Sequence, residues 1–461
     1  MASSLRLVIR KSAMRPPLLV FLVCLGINAV PSACGQTLVV QPRDGMADER
    51  LAIRIANLKP RQPIVVRAST KDADGKLWQS HAGFYADDRG TVNLATQAPA
   101  NGTYQGIDPT GLISSMNLPG VDYNRARFAY KRADPLTLTF SVESDGRTLA
   151  TGDVIRRFMK PDGRMEDVRE GGLVGTLFTP AGPAGAFPGV IVLGGSEGGL
   201  GSEDVAALLS SHGYAALALA YFGAQGLPPS LEEIPLEYFG RAIDWMMRQR
   251  SVRRGGLALL GTSKGAEAAL LVASKYREVR AVVGYVPSGV VWSCICGAAD
   301  KSSWSFEGKS VPFIPQATDP TYHPPQGFPI RPAINYAYRL RQREAVRRAA
   351  IPVERINGPV LLISAGDDQL WNSSVLARMI VNRLKTRRHP FPDQHLTYES
   401  AGHLIGKAYL PAGSTLVAGG RLETGGTPEG NARAQDDSWR RVIKFLETAL
   451  RVRPSGSKAG T

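Results

Sequence analysis

Ser263 stands in Gly261-Thr262-Ser263-Lys264-Gly265, a G-x-S-x-G pentapeptide joining the apolar run 257–260 to an Ala-, Leu-, Glu- and Lys-containing run over 264–273. The first run predicts a buried strand and the second a helix. A serine on a tight strand-to-helix turn presents its Oγ away from the sheet. Glycines on either side let backbone pack where a Cβ would collide. The helix that starts there aims free N–H groups and the positive end of its dipole at any oxyanion formed on the serine. The chemistry these residue types allow is acyl transfer through a serine ester. A Gly-rich turn inside a hydrophobic core can produce the same pentapeptide, so the partners decide.

A serine hydroxyl is a poor nucleophile until a base takes its proton, so a histidine and an orienting carboxylate are required. After such a turn they are expected in the chain order Asp or Glu, then His. His389, His395 and His403 stand late in the chain. His403, in Ser400-Ala401-Gly402-His403, follows the predicted strand 395–398 and falls at the end that faces Ser263. His389 precedes that strand and His395 begins it, which places both at the opposite edge. Asp367 and Asp368 follow the apolar run 360–364. Adjacent side chains point differently, so one of the two orients the imidazole and the other forms a turn or caps a helix. For the oxyanion, the Lys264 N–H is one donor. The second is expected at Ser196 or Glu197, in the loop Gly194-Gly195-Ser196-Glu197-Gly198-Gly199. His81 has no catalytic-type neighbour in the pattern and reads as a surface or packing residue.

The elements that must position these groups fall into two rhythms. Up to about residue 153, alternating runs such as 51–58, 63–70 and 136–144 lie between turn signals, which predicts a β-sandwich over 37–160. From residue 174 the strands are apolar throughout and alternate with helices, which predicts a mostly parallel, doubly wound sheet over 165–451. Predicted strands are 190–193, 215–221, 281–285, 360–364 and 395–398; predicted helices are 204–211, 235–248, 375–384 and 434–450. A stretch rich in Pro and aromatics interrupts this rhythm over 287–350 and reads either as a cap over the site or as a surface excursion.

With 43% hydrophobic and 21% charged residues, the 461-residue chain reads as folded rather than disordered. Its +15 formal charge is dispersed in ones and twos, and without a nucleic-acid motif it points to no nucleic-acid partner. A positive field favours an anionic small molecule. Residues 1–35 combine Arg6, Arg10, Lys11 and Arg15 with an apolar run over 18–30 and small residues before Gln36. That is the pattern of a cleaved secretion signal, too short for a membrane span, and it implies a secreted or periplasmic protein. Without its four basic residues the charge is +11. Cys34 also permits a lipoprotein reading, which Pro31 fits poorly. Cys294 and Cys296 lie too near one another in sequence for a relaxed disulfide, and with no nearby His pattern they read as loop or pocket thiols rather than metal ligands. Residues 452–461 read as a disordered tail.

Further motifs stand beside these: LLGTSKGAE around Ser263, Leu236-Glu237-Tyr238-Phe239, Ile351-Pro352-Val353-Glu354-Arg355, the DDxxW at 367–371, AGH at 401–403 and Gly425-Gly426-Thr427-Pro428. On them, residues 40–450 resemble the acyl-CoA thioesterase and bile acid-CoA:amino acid N-acyltransferase family. It implies an immunoglobulin-like all-β sandwich followed by an α/β-hydrolase, no metal or cofactor, and a triad of Ser263, Asp368 and His403. Relatives that transfer acyl groups to amines carry cysteine at the elbow; Ser263 favours hydrolysis to free acid and thiol. Coenzyme A thioesters are intracellular, so a secretion signal points to another ester or thioester as an alternative substrate. An extracytoplasmic carboxylesterase or dienelactone-hydrolase-like enzyme is the rival enzyme reading, and a catalytically inactive binding module is the rival of another class.

Overall fold

The computed structural model describes residues 35–130, 132–298, 300–406 and 410–450. The expected leader, apart from Gly35, and the expected tail lie outside them. The apolar runs assemble into one eight-stranded sheet: β1 Arg164–Val168, β2 Val174–Thr179, β3 Phe187–Leu193, β4 Ala215–Ala220, β5 Val252–Thr262, β6 Val279–Tyr285, β7 Val360–Ala365 and β8 Gln394–Tyr398. Their order across the sheet is β1-β2-β4-β3-β5-β6-β7-β8. Neighbours from β4 to β8 are parallel, and β1 and β2 pair antiparallel. This is an α/β-hydrolase architecture.

Helices α1 Glu203–Ser211, α2 Leu236–Arg248, α3 Lys264–Ala273, α4 Ser373–Thr386 and α5 Pro428–Leu450 cover the two faces. The period-2 geometry of a strand sorts its residues between them. Ile191, Leu193, Leu257 and Leu259 pack with Ile243, Leu270 and Ile380 of α2, α3 and α4. Val190, Val192, Ala258 and Leu260 face Leu209 of α1 and Val442 and Leu446 of α5. Burial on both faces is why these strands read as unbroken apolar runs. Helix α5 begins earlier than the expected 434 because Pro428 suits a first helical position. Among the described residues, no helix is long and apolar enough to cross a membrane.

Before the hydrolase sheet, a six-stranded and a three-stranded sheet close on one core. Alternation along Ala52–Ala56 and Pro63–Lys71 turns Ile53, Ile55, Ile64 and Val66 inward against Phe140 and Val154. His81 is exposed, as expected of a surface residue.

Polar contacts tie this region to the hydrolase sheet's helices, among them those of Asp48. The Asp48 carboxylate meets His212 Nε2 and accepts from Trp439 Nε1 at 2.8 Å. Burial works to raise the Asp48 carboxyl, but the hydrogen bond and charge of His212, with Trp439, outweigh it and hold it below the usual range. A depressed carboxyl stabilises the fold above the unfolded-state pKa and loses that contribution as pH falls through the folded one. Asp48→Asn is therefore expected to cost about 1–3 kcal/mol at neutral pH. Urea unfolding should show the gap from wild type closing once the pH drops below the carboxylate range.

Candidate active site

The elbow forms where β5 runs into α3. Ser263 takes a left-handed backbone, φ 57° and ψ −120°, the strained turn that lifts a nucleophile off the strand end. It is held from both sides. Its N–H donates to the Tyr285 carbonyl at 2.9 Å, and its own carbonyl accepts from Ala266 and Glu267. A Cβ on Gly265 would sit 2.2 Å from the Gly194 carbonyl oxygen, so α3 can approach the β3 loop this closely only with glycine there.

The ends of β7 and β8 deliver the partners. His403 Nε2 lies 2.9 Å from Ser263 Oγ, and His403 Nδ1 lies 2.9 and 3.1 Å from the two Asp368 oxygens. All three side chains are buried. Burial works to raise the Asp368 carboxyl. The His403 charge and hydrogen bond, with the Ser373 side chain and the Trp371 N–H, outweigh burial and keep the carboxyl low. It is ionised wherever the protein is folded near neutrality. Asp368 also accepts from the Leu370, Trp371 and Ser373 N–H groups, so one residue both orients the imidazole and anchors the start of α4. Asp367 points elsewhere and accepts from the Gly426 N–H at 2.8 Å. That bond explains the late Gly-Gly-Thr-Pro motif. The 425–426 turn lies against the loop of His403, where a Cβ on Gly402 would meet the Gly425 carbonyl oxygen at 1.9 Å. The His403 N–H donates to the Thr424 carbonyl at 2.8 Å. Trp371 completes the setting, edge-on to the His403 ring at 5.7 Å. His389 and His395 stay away from the site, bonded to Asp393 and Ser364 respectively.

Gly194–Glu197 line the same cavity as Ser263 and His403. Tyr221 Oη donates to the Gly194 carbonyl at 2.7 Å and lies 3.0 Å from the Gly195 carbonyl. In a trans peptide the N–H points opposite its C=O, so Tyr221 turns the Gly195 and Ser196 N–H groups away from itself. The Gly195 backbone is close to the nucleophile: a Cβ built there lies 3.4 Å from Ser263 Cβ. The Glu197 carboxylate folds back over Gly194, Gly195 and Gly201.

The cavity measures about 910 Å³ and draws on three parts of the chain. Ala126, Phe128 and Tyr130 come from the N-terminal region, and Tyr130 Oη reaches the Gly201 carbonyl at 3.2 Å. Leu410, Val417 and Leu422 come from the excursion after His403. Ser293, Cys294, Cys296, Gln316, Tyr336 and Arg339 come from the stretch after β6, which is thus a pocket wall and not a surface excursion. Trp292 itself is fully buried behind that wall. Cys294 and Cys296 are not free thiols: a disulfide joins them. The bent backbone between them sets their Cα atoms 5.4 Å apart, inside the bridging range, and this distance rather than sequence separation governs the bond.

Sequence reading missed a buried polar cluster under the elbow. Lys264 Nζ donates to both Glu267 oxygens at 3.0 and 3.1 Å and to Ser303 Oγ at 2.8 Å. Glu267 also accepts from Trp304 Nε1 and the Trp292 N–H. Burial pulls the Lys264 ammonium down and pushes the Glu267 carboxyl up, each opposed by the attraction of the other. A Glu inside the apolar helix run AEAALL was the signal available in sequence.

Comparison with known proteins places the chain in a family. The family description "BAAT / Acyl-CoA thioester hydrolase C terminal" matches residues 234–452, and "Acyl-CoA thioester hydrolase/BAAT N-terminal region" matches residues 48–170. The chain is 33% identical to mouse acyl-coenzyme A thioesterase 6 over 90% of this chain and 97% of that protein. It is 33% identical to mouse mitochondrial acyl-coenzyme A thioesterase 2, covering 90% and 89%. Mouse acyl-coenzyme A amino acid N-acyltransferase 1 is 31% identical, covering 91% and 99%. Over nearly its whole described length, then, this chain belongs to the acyl-CoA thioesterase and bile acid-CoA:amino acid N-acyltransferase family.

Proposed function

We propose that this chain is a serine hydrolase of acyl thioesters, with fatty acyl-coenzyme A or a related acyl thioester as the substrate class. The observation that carries the reading is the line from Ser263 Oγ through His403 to Asp368, each step within 3.1 Å and opening on one cavity. Ser263 attacks the acyl carbon while His403 takes its proton and returns it to the departing sulfur. Water, activated by the same histidine, then releases the acid. Asp368 holds the tautomer that leaves Nε2 free to accept. The Lys264 and Ser196 N–H groups receive the oxyanion, with the Gly195 N–H beside them. The cavity wall of Ala126, Phe128, Leu410 and Val417 suits an acyl chain, and the wall of Ser293, Gln316 and Arg339 suits a polar thiol carrier.

Hydrolysis is favoured over amide synthesis because Ser263 forms an oxygen ester, which water activated by His403 can open, whereas transfer to an amine is easier from a thioester. We read residues 37–160 as an immunoglobulin-like sandwich and 165–451 as the catalytic domain. The Cys294–Cys296 disulfide supports the extracytoplasmic setting expected from the leader.

The test sets wild type beside Ser263→Ala on acyl-coenzyme A and p-nitrophenyl esters, with glycine present. A loss on the order of 10³-fold or more in the variant, with free acid as product, is the expected result. A variant as active as wild type, or acylglycine as the product, overturns the reading. Preference for simple aryl esters would make the enzyme a carboxylesterase instead. Tyr221→Phe frees the two loop carbonyls, and kcat is expected to fall about tenfold with KM little changed. That is less than the 10²–10³ that follows loss of an oxyanion donor itself.

A further inference from the structure

We propose that the Cys294–Cys296 disulfide is a thiol-exchange site that captures the thiol leaving the acyl group at Ser263; the proposal rests on the thioester-hydrolase reading. The bridge closes a loop of minimal length, since its cysteines are two residues apart. The chain-entropy gain of a cross-link is smallest for such a loop, so holding distant parts of the fold together is not its use. Its position fits another role. Both cysteines line the cavity that holds Ser263 and His403, on the segment that also contributes Gln316 and Arg339. A thiol released there meets the disulfide before it reaches bulk solvent, at the high effective concentration of a shared enclosure.

The two sulfurs are not equivalent. Cys296 is half-buried, whereas Cys294 is buried with its Sγ 3.1 Å from the Ala298 carbonyl oxygen. The accessible sulfur takes the attack. The product thiolate forms a bond to Cys296 Sγ, and the Cys294–Cys296 bond breaks with its electron pair leaving on Cys294. Cys294 takes the proton the thiol gave up, and its S–H can donate to the Ala298 carbonyl. One thiol and one disulfide are consumed and one of each is formed, so no outside oxidant or reductant enters. Attack by Cys294 on the mixed disulfide reverses the step and expels the thiol. The adduct therefore accumulates only when thiol is abundant, and while present it fills the cavity: a brake set by the product.

The experiment uses the full chain purified without reductant. It is incubated with increasing coenzyme A, or with S-methyl-coenzyme A, which has the same carrier but no thiol. After an iodoacetamide quench, intact mass and peptide mapping read the outcome. Coenzyme A is expected to add one whole molecule per chain at Cys296 and one carbamidomethyl group at Cys294. The adduct fraction should rise with thiol concentration and be reversed by dithiothreitol, and S-methyl-coenzyme A should give none. Free thiols at both positions in the untreated protein overturn the proposal. So does hydrolysis of acyl-coenzyme A without any adduct, which leaves the functional reading standing. An adduct with coenzyme A but no thioester hydrolysis supports exchange at this disulfide and overturns the functional reading on which its supply of thiol depends.

Discussion

Replacing Asp368 with asparagine is expected to lower kcat for thioester hydrolysis by about 10⁴-fold with the fold intact, the size of effect that follows when a triad histidine is held in the wrong tautomer. The hydrogen bonds around the carboxylate dictate which way the new amide must sit. Oδ1 accepts from the Leu370 and Trp371 N–H groups, while Oδ2 accepts from the Ser373 N–H at 3.3 Å and faces His403 Nδ1 at 2.9 Å. The amide oxygen takes the side with two backbone donors. Its NH₂ then takes the place nearer Nδ1, 2.9 Å against 3.1 Å for the oxygen, which favours Nδ1 as the acceptor with the ring proton on Nε2. That nitrogen can no longer take the Ser263 proton. The NH₂ also opposes the Ser373 N–H, a loss of about 1 kcal/mol. Steady-state kinetics with a thermal melt separate the two effects: a melting point near wild type beside a collapsed kcat is the expected pair. A kcat within tenfold of wild type would mean that Asp368 does not set the tautomer.

The largest effect on stability is expected at Glu267. Glu267→Ala strips both carboxylate oxygens from Lys264 Nζ, leaving a fully buried ammonium with Ser303 Oγ as its remaining contact among those described. Breaking a buried pair from one side costs about 3–5 kcal/mol, a large share of a typical net stability. It also frees Trp304 Nε1 and the Trp292 N–H, which hold the pocket wall to the elbow helix. The double change Lys264→Met with Glu267→Gln removes both charges while keeping a carbonyl oxygen for the two tryptophans. It is expected to be more stable than Glu267→Ala alone, because a neutral pair leaves no uncompensated charge. Denaturant unfolding of the singles and the double gives the coupling directly. A Glu267→Ala protein as stable as wild type would contradict a charged pair at this site.

The positions of Ser263, His403 and Asp368, the proposed nucleophile, base and acid, were legible because each sits at a boundary that local sequence marks. Gly261 and Gly265 bracket a strand end, Gly402 precedes His403, and Asp368 follows an apolar run. Parallel strands bring those ends to one edge of the sheet, so chain order translated into proximity. The doubly wound sheet was legible for the same reason, since strands buried on both faces leave unbroken apolar runs. Choosing Asp368 over Asp367 needed more. Their backbones are adjacent; the resemblance pointed to Asp368, and in the structure Asp368 meets His403 while Asp367 meets Gly426, 59 residues on. The pocket walls were not legible. Arg339 is held by Ser293 Oγ and the Ile314 carbonyl, contacts across 46 and 25 residues that no local pattern encodes. The disulfide escaped because sequence spacing does not report how far the chain bends between two cysteines.

Phe128 lies against the cores of both the N-terminal sheets and the hydrolase sheet, and it also lines the cavity. The segment Ala126–Tyr130 is thus distant in sequence from every group placed in the chemistry, yet it shapes the space the substrate fills. Mutation there can alter which acyl group fits without moving Ser263, His403 or Asp368. The share of preference set by this wall lies on a different stretch from the proposed catalytic groups. Exchanging the first 160 residues between relatives should shift that share, with the walls at 293–339 and 410–422 and the triad of the recipient staying as they were.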